Sequence, residues 1–182
     1  MIAAKLAESR VRITDEDGAK EVYSDYYYGK FQCDEEEVLE LSLSEAMHLV
    51  DRDVIEVEGA SGETFSREEL HDRFVELDDE FSHKYKVYRD LRERGYIVKS
   101  GFKFGSHFRV YEEGVNPYSE GPKRQKQHTK WVVHAVPENH TLSFQEMSRA
   151  VRLAHNIRAT MLWGVVDSEG GVTYYEVERA KP

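Results

Sequence analysis

Short apolar runs bounded by polar turn residues dominate the first 60 residues, and this pattern is typical of β-strands. The run at residues 53–58 alternates apolar and polar positions, as expected for a strand with one buried face. Residues 15–18, Asp-Glu-Asp-Gly, are typical of a turn. The strands predicted from these patterns are 2–7, 9–14, 21–23 and 53–58.

Two stretches before Gly95 have the three-to-four-residue apolar spacing of helices. Either Ser42 or Ser44 is placed to cap a short helix that ends at Val50. Ser66 begins a capping-box sequence, Ser-Arg-Glu-Glu, which predicts one long helix that stops at Gly95. Its apolar stripe is interpreted as core or interface. The members of the stripe are Leu70, Phe74, Leu77, Phe81, Tyr85, Tyr88 and Leu91.

Beyond Gly95 the pattern favours strands again, interrupted by one helix. A second capping-box sequence at Ser143 predicts a helix that runs to Arg158. Residues 113–127 form a long polar stretch, and loops of this length are usually functional or disordered. The predicted strands are 96–99, 108–112, 130–136, 161–166 and 171–178.

Charge is divided unevenly along the chain. The net charge of −10 argues against a nucleic-acid partner at first, but residues 1–95 hold 26 acidic and 13 basic residues. Residues 96–182 hold 9 acidic and 12 basic residues, together with five of the eight histidines. The second half is therefore able to face a polyanion, although an acidic solvated surface on the first half explains the same numbers.

Cysteine usage and hydropathy bear on the cellular compartment. Cys33 is the only cysteine, so an intrachain disulfide is excluded, and this residue cannot form a cysteine-based metal site alone. No apolar run approaches the ~18 residues of a membrane span, and the first residues lack the pattern of a secretory signal. We therefore expect a cytoplasmic protein that does not bind membranes.

Tyr111 and His128 are the candidate acid–base pair. Tyr111 ends a predicted strand, and His128 precedes the apolar run Trp-Val-Val of the next strand. Cleavage of RNA by its own 2′-hydroxyl needs a base, an acid and a cation that stabilises charge on the phosphate. A phenol acts as base only beside positive charge, whereas imidazole suits the acid role. Each residue also has an ordinary interpretation, as a packing tyrosine and a surface histidine.

Other kinds of site have little support in the sequence. His128, His134 and His140 are six residues apart, which is not a zinc-ligand spacing. Gly101 and Gly105 do not form a nucleotide-binding loop, and no Gly-x-Ser-x-Gly element is present. Neither a metal nor another cofactor is expected.

The second half of the chain resembles the archaeal-type tRNA-splicing endonuclease family, also called tRNA-intron lyases. The resemblance lies in YKVYRDLRERGYIVKSGFKFGSHFRVYE, HTKWVVHAV, SRAVRLAHNIR and VVDSEGGVTYYEVERAKP. It is specific over residues 85–182 and weaker over the first half, where it includes FQCDEEEVLELSLSEAMHLV. The resemblance implies cleavage of precursor tRNA at bulge–helix–bulge junctions without a metal. The implied products are 2′,3′-cyclic phosphate and 5′-hydroxyl ends.

The family uses a catalytic trio of Tyr, His and Lys. The resemblance implies that Tyr111 is the base and His128 the acid, while the lysine position holds Ala159. Three explanations are open for this alanine: an inactivated variant, a form in which another cation substitutes, or a non-catalytic subunit that binds RNA. The substitutes considered are Lys103, Lys126 and Arg158.

The resemblance also implies an RNA contact and an assembly. Arg152 matches the family arginine that stacks on a bulge base. Asp167 and Glu169 lie in a loop that matches the acidic loop with which family members assemble as tetramers, although the sequence there also suits a plain hairpin turn.

We therefore predict an α/β protein of the α+β type. Residues 1–83 are expected to form a small N-terminal α/β domain, and residues 84–182 a C-terminal nuclease domain with a mixed sheet flanked by helices. The predicted function is tRNA-splicing endonuclease, with precursor tRNA as substrate and a homotetramer as the assembly. The alternative is a non-catalytic, RNA-binding subunit of the same complex.

Overall fold

The computed structural model describes residues 1–32, 35–101, 105–118 and 128–182, so Cys33, Lys103 and Lys126 lie outside the described part. The chain divides into two compact units, Met1–Tyr85 and Lys86–Pro182. Among the described residues each unit contains a five-stranded sheet with one parallel and three antiparallel strand pairs. The fold is therefore α+β, as predicted.

The N-terminal unit has the sheet order β3-β4-β2-β1-β5, in which β1 and β5 are parallel. Its core is formed by alternate strand residues such as Val11 and Ile13, which are fully buried. Strands β3 and β4 were not predicted from the sequence. The elements are β1 (Ile2–Ala7), β2 (Arg10–Ile13), α1 (Glu16–Tyr26), β3 (Lys30–Gln32), β4 (Glu35–Leu41), α2 (Leu43–Asp51), β5 (Ile55–Glu58) and α3 (Arg67–Leu77).

Helix α1 replaces the turn and strand predicted at residues 15–18 and 21–23, so both predictions are wrong. The side chain of Asp15 accepts a hydrogen bond from Gly18 N at 2.8 Å and caps the helix. Acidic residues in the first turn also interact favourably with the helix dipole. Asp and Gly occur in both turns and helix starts, so the local signal was ambiguous.

The long helix predicted from Ser66 to Gly95 is in fact two helices, α3 and α4 (Phe81–Glu93). Asp78 ends α3 in an extended conformation, and its carboxylate accepts from Glu80 N at 3.1 Å and from Lys84 Nζ at 2.9 Å. Phe74 and Phe81 still pack together, with ring centroids 5.3 Å apart. The apolar stripe therefore continues across the break, which is why periodicity did not reveal it.

The C-terminal unit has the sheet order β10-β9-β8-β7-β6, in which only β8 and β9 are parallel among the described strands. The predicted strands of this half are confirmed within two residues at each end. The elements that follow α4 are β6 (Ile97–Ser100), β7 (Phe108–Tyr111), β8 (Trp131–Pro137), α5 (Phe144–Asn156), β9 (Thr160–Val166) and β10 (Val172–Val177).

Helices cover both faces of the C-terminal sheet. Val151 and Ala154 of α5 pack with Val132, Met161 and Trp163 on one face. The part of α4 within this unit packs on the other face, where the rings of Tyr88 and Phe108 are 5.7 Å apart. A Cβ atom on Gly164 would lie 2.9 Å from Val87, so glycine at this position lets α4 approach β9 closely.

Candidate active site

Tyr111 is the last residue of β7 and pairs with Ile97 of β6. Its hydroxyl accepts a hydrogen bond from Arg109 Nη1 at 3.2 Å. This contact places a guanidinium directly against the phenol oxygen. Only 2% of Tyr111 is exposed, so contact between its hydroxyl and RNA requires a neighbouring group to move.

Two cations share the sheet face of Tyr111, and sequence reasoning missed both. Arg109 precedes Tyr111 by two residues, and Lys99 pairs with Arg109 across β6 and β7. Lys99 is 4% exposed, and its ammonium lies 5.4 Å from the ring centroid of Tyr118. The alternation of side chains along a strand could have revealed Arg109, because it puts residues two positions apart on the same face of a sheet.

Lys130 lies between Tyr111 and Ala159 in the sheet. Its N–H donates to Val110 O at 2.7 Å, and its carbonyl accepts from Thr160 N at 3.1 Å. Extending the registers of β7, β8 and β9 by one residue aligns Tyr111, Lys130 and Ala159 in one row. The ammonium of Lys130 contacts Glu112 at 2.6 Å, and this hydrogen bond raises the pKa of Lys130.

His128 is partly exposed and precedes β8 by three residues. It lies two residues before Lys130, near the end of the sheet where Tyr111 and Ala159 are found. The candidate acid therefore lies outside the sheet, in the segment that leads into β8.

The end of α5 fixes the position of Ala159. Arg158 N donates to His155 O at 3.0 Å, and Ala159 N donates to Ala154 O at 2.9 Å. These two bonds form a Schellman motif, with Arg158 in the left-handed conformation at φ 60°. The methyl group of Ala159 packs against the cluster beneath α5. Residue 159 thus joins the helix end to the start of β9.

His134, one of the three histidines considered as zinc ligands, packs against other aromatic rings. His134 lies 5.2 Å from His107 and 5.9 Å from Trp163, measured between ring centroids. In the described residues, no group of three or more His, Cys, Asp or Glu is arranged to hold a metal ion. None of the described helices is long and apolar enough to cross a membrane.

Comparison with known families accounts for nearly the whole chain. Residues 81–174 match the tRNA intron endonuclease catalytic C-terminal domain, and residues 2–71 match the N-terminal domain of the same enzymes. The chain belongs to the tRNA intron endonuclease family. The expectation drawn from sequence resemblance is therefore confirmed at the level of the family.

Individual relatives agree with this assignment. A tRNA-splicing endonuclease from Thermococcus kodakarensis is 42% identical over 181 residues, covering 100% of this chain and 99% of that protein. One from Thermococcus gammatolerans is 44% identical over 179 residues, with 98% of each protein covered. One from Methanococcoides burtonii is 34% identical over 178 residues, which are 98% of this chain but 48% of that protein.

The two remaining candidate regions of this family member are on the surface. Arg152 is exposed on α5. The exposed Asp167 closes the β9–β10 turn, since its Oδ1 accepts from Glu169 N at 2.9 Å and Gly171 N at 2.8 Å. Glu138 Oε1 accepts from Ser168 N at 2.9 Å. Asp167 therefore has a local structural role, whereas the side chain of Glu169 is exposed.

Proposed function

We propose that this protein is an RNA endonuclease that cleaves precursor tRNA at bulge–helix–bulge junctions. The relatives are named tRNA-splicing endonucleases, and the matched domain is the catalytic one. The cleavage proposed is intramolecular and independent of metal. It leaves a 2′,3′-cyclic phosphate on one product and a 5′-hydroxyl on the other.

The proposed step uses one base and one acid. Tyr111 removes the proton of the 2′-hydroxyl, and the freed oxygen attacks the adjacent phosphorus. The bond from phosphorus to the 5′ oxygen breaks, and His128 gives a proton to that oxygen. Arg109 donates a hydrogen bond to the Tyr111 hydroxyl at 3.2 Å and so places positive charge beside the proposed base.

One observation carries this proposal: positions 111, 130 and 159 form a single row at one end of the C-terminal sheet. Residue 159 is where the family lysine is expected, and His128 is two residues from the middle of the row. Strand register thereby brings residues nearly 50 positions apart in the chain into one row, which supports their acting together.

The test is cleavage of a bulge–helix–bulge RNA by the purified full chain in EDTA, with analysis of the product ends. We expect cyclic-phosphate and 5′-hydroxyl ends, at a rate below that of an enzyme with lysine at position 159. Products with 5′-phosphate ends, or a strict requirement for divalent metal, would contradict the proposed chemistry.

Position 159 holds alanine where the family lysine is expected, and this supports a second candidate function. In that case the chain is a non-catalytic, RNA-binding subunit of a tRNA-splicing endonuclease complex. The 2% exposure of Tyr111 points in the same direction. This candidate predicts tight RNA binding without cleavage by the isolated chain, and cleavage only after a catalytic partner chain is added.

We also propose that the chain assembles as a homotetramer through the loop that contains Asp167 and Glu169. The support is the exposed acidic character of that loop within a half of the chain that is otherwise basic. Complementary charge selects which surfaces meet.

A further inference from the structure

Lys99 is a buried cation in the sheet, close to Tyr111. It lies on β6, where it pairs directly with Arg109 of β7, and only 4% of it is exposed. Lysine is rarely buried to this extent in proteins, because its ammonium is strongly hydrated. The environment of Lys99 is therefore not that of an ordinary surface lysine.

Sheet register brings Lys99 within reach of Tyr111. Tyr111 pairs with Ile97, and Lys99 follows Ile97 by two residues on the same face. Diagonal neighbours on two strands are about 7–8 Å apart, a distance that long side chains span. Residue 159 is two strands away from Tyr111, or ~10 Å at the usual strand spacing. By these spacings, Lys99 is at least as close to Tyr111 as the position of the family lysine.

Arg109 links the Tyr111 hydroxyl to the backbone beside Lys99. Its Nε donates to Ser100 O at 3.0 Å, and its Nη1 donates to the Tyr111 hydroxyl at 3.2 Å. The guanidinium thus holds the phenol oxygen toward β6, the strand that carries Lys99. Positive side chains directly opposite each other on two strands repel. A phosphate bound between Lys99 and Arg109 would offset this repulsion.

Tyr118, in the segment that follows β7, lies over Lys99. The ammonium is 5.4 Å from the centroid of the tyrosine ring, which is a cation–π contact. A turn positions the ring, since Asn116 Oδ1 accepts from Tyr118 N at 2.8 Å, and the intervening Pro117 is buried. An ammonium that turns from a ring to a phosphate oxygen gains a charged hydrogen bond. The aromatic contact is therefore one that a phosphate is able to replace.

We propose that Lys99 is the cation that stabilises the phosphate during RNA cleavage, and that Tyr118 shields it until RNA binds. This inference rests on the endonuclease function proposed above, and it assigns to Lys99 the charge that position 159 lacks. The 2′ oxygen that Tyr111 deprotonates must lie ~3–3.5 Å from the phosphorus that it attacks. A cation within reach of the Tyr111 hydroxyl is therefore also close to the phosphate oxygens, where negative charge increases in the transition state. Lys99 keeps its protons throughout and contributes charge and hydrogen bonds.

The first experiment needs no RNA. Inorganic phosphate is titrated into the isotope-labelled full chain, and NMR follows the amide signals of Ser100 and Arg109. Lys99→Met should weaken phosphate binding ~10- to 100-fold, as expected when a charged hydrogen bond is lost. Lys5→Met removes an exposed lysine of the N-terminal unit and should leave binding unchanged. No binding at these amides, or equal weakening by both variants, overturns the proposal.

The second experiment tests the shield in the same titration. Tyr118→Ala removes the ring and should tighten phosphate binding ~2- to 30-fold, the range expected for loss of a competing cation–π contact. Tyr118→Phe keeps the ring face and should bind phosphate like the wild type. Both variants retain Lys99, so this comparison remains decisive if Lys99→Met does not fold. Unchanged or weaker binding by Tyr118→Ala overturns the proposal.

The third experiment measures single-turnover cleavage of a bulge–helix–bulge RNA in EDTA. Lys99→Met should lower the rate about 10²–10³-fold, as expected for loss of one charge that stabilises the transition state. Ala159→Lys should then increase the rate ~10-fold more in the Lys99→Met background than in the wild type, because both cations act on one phosphate. A purely structural role of Lys99 predicts equal increases in the two backgrounds, and that result overturns the proposal.

These experiments separate failure of the Lys99 assignment from failure of the proposed function. If no variant cleaves RNA, including Ala159→Lys, the endonuclease assignment fails, while the phosphate titrations still decide whether Lys99 binds an anion beneath Tyr118. If the wild type and Lys99→Met cleave RNA equally fast, the Lys99 assignment fails and the endonuclease assignment stands.

Discussion

At the scale of single residues, the proposed chemistry makes the charge at position 159 a test of how the reacting phosphate is stabilised. Removing one preorganised charge or donor commonly lowers a rate by ~10²–10³. Ala159→Lys should therefore raise the single-turnover rate of cleavage at least ~tenfold. A cavity of about 240 Å³ beside residue 159 has room for the longer side chain. Ala159→Met fills similar space without charge and should give no increase; a similar gain from methionine would show that volume, not charge, limits the reaction.

His128 is expected to act on the leaving group and to contribute little to ground-state affinity. His128→Ala should abolish residual cleavage while RNA affinity stays within a few-fold of the wild type. His140→Ala removes an exposed histidine elsewhere in the unit and serves as the control. The assignment fails if His128→Ala loses affinity greatly but cleaves bound RNA at the normal rate.

At the scale of elements, the junction of α5 and β9 positions residue 159 at a cost in backbone strain. Arg158 has a left-handed conformation at φ 60°, where side chains other than glycine cost ~1–2 kcal/mol. Arg158→Gly should raise the free energy of unfolding by roughly 0.5–1 kcal/mol, after the extra entropy of glycine in the unfolded chain is subtracted. Urea denaturation of the full chain measures this change.

Arg158→Ala is the matched control, because it removes the same charge but keeps a Cβ atom in the left-handed conformation. Its stability should stay close to that of the wild type. If the free energy of unfolding rises equally in both variants, the increase comes from removing the guanidinium, and the strain argument is wrong.

At the scale of the whole molecule, charge in the β9–β10 turn is expected to hold the assembly together. Asp167→Asn with Glu169→Gln removes both charges but keeps the acceptor oxygen that Asp167 presents to the turn amides. We expect this double variant to change from tetramer to dimer in light scattering, with dissociation increasing at high salt as remaining ion pairs are screened.

Glu8→Gln with Glu21→Gln neutralises two exposed carboxylates outside the turn and should remain tetrameric. If the Asp167→Asn/Glu169→Gln double variant is also fully tetrameric at micromolar concentration, the loop is an ordinary hairpin turn with no role in assembly.

Much of the fold was predictable from the sequence, because many of its elements are stabilised by interactions between residues close together in the chain. The helix α5 was predicted because Ser143 and Glu146 form a capping box three residues apart. Prediction from local sequence failed where the same residue pattern is compatible with two different structures. Asp15 begins a helix rather than a turn, and Asp78 divides a helix whose apolar stripe continues across the gap.

The sequence by itself determined the family, the α+β class and the identities of Tyr111, His128 and Ala159 as candidates. Only the tertiary structure decided what surrounds them. Arg109 meets Tyr111 through alternation along one strand, whereas Lys130 reaches the neighbourhood of Ala159 through strand register. Register depends on how whole strands bury their apolar faces against each other, so it links residues far apart in the chain.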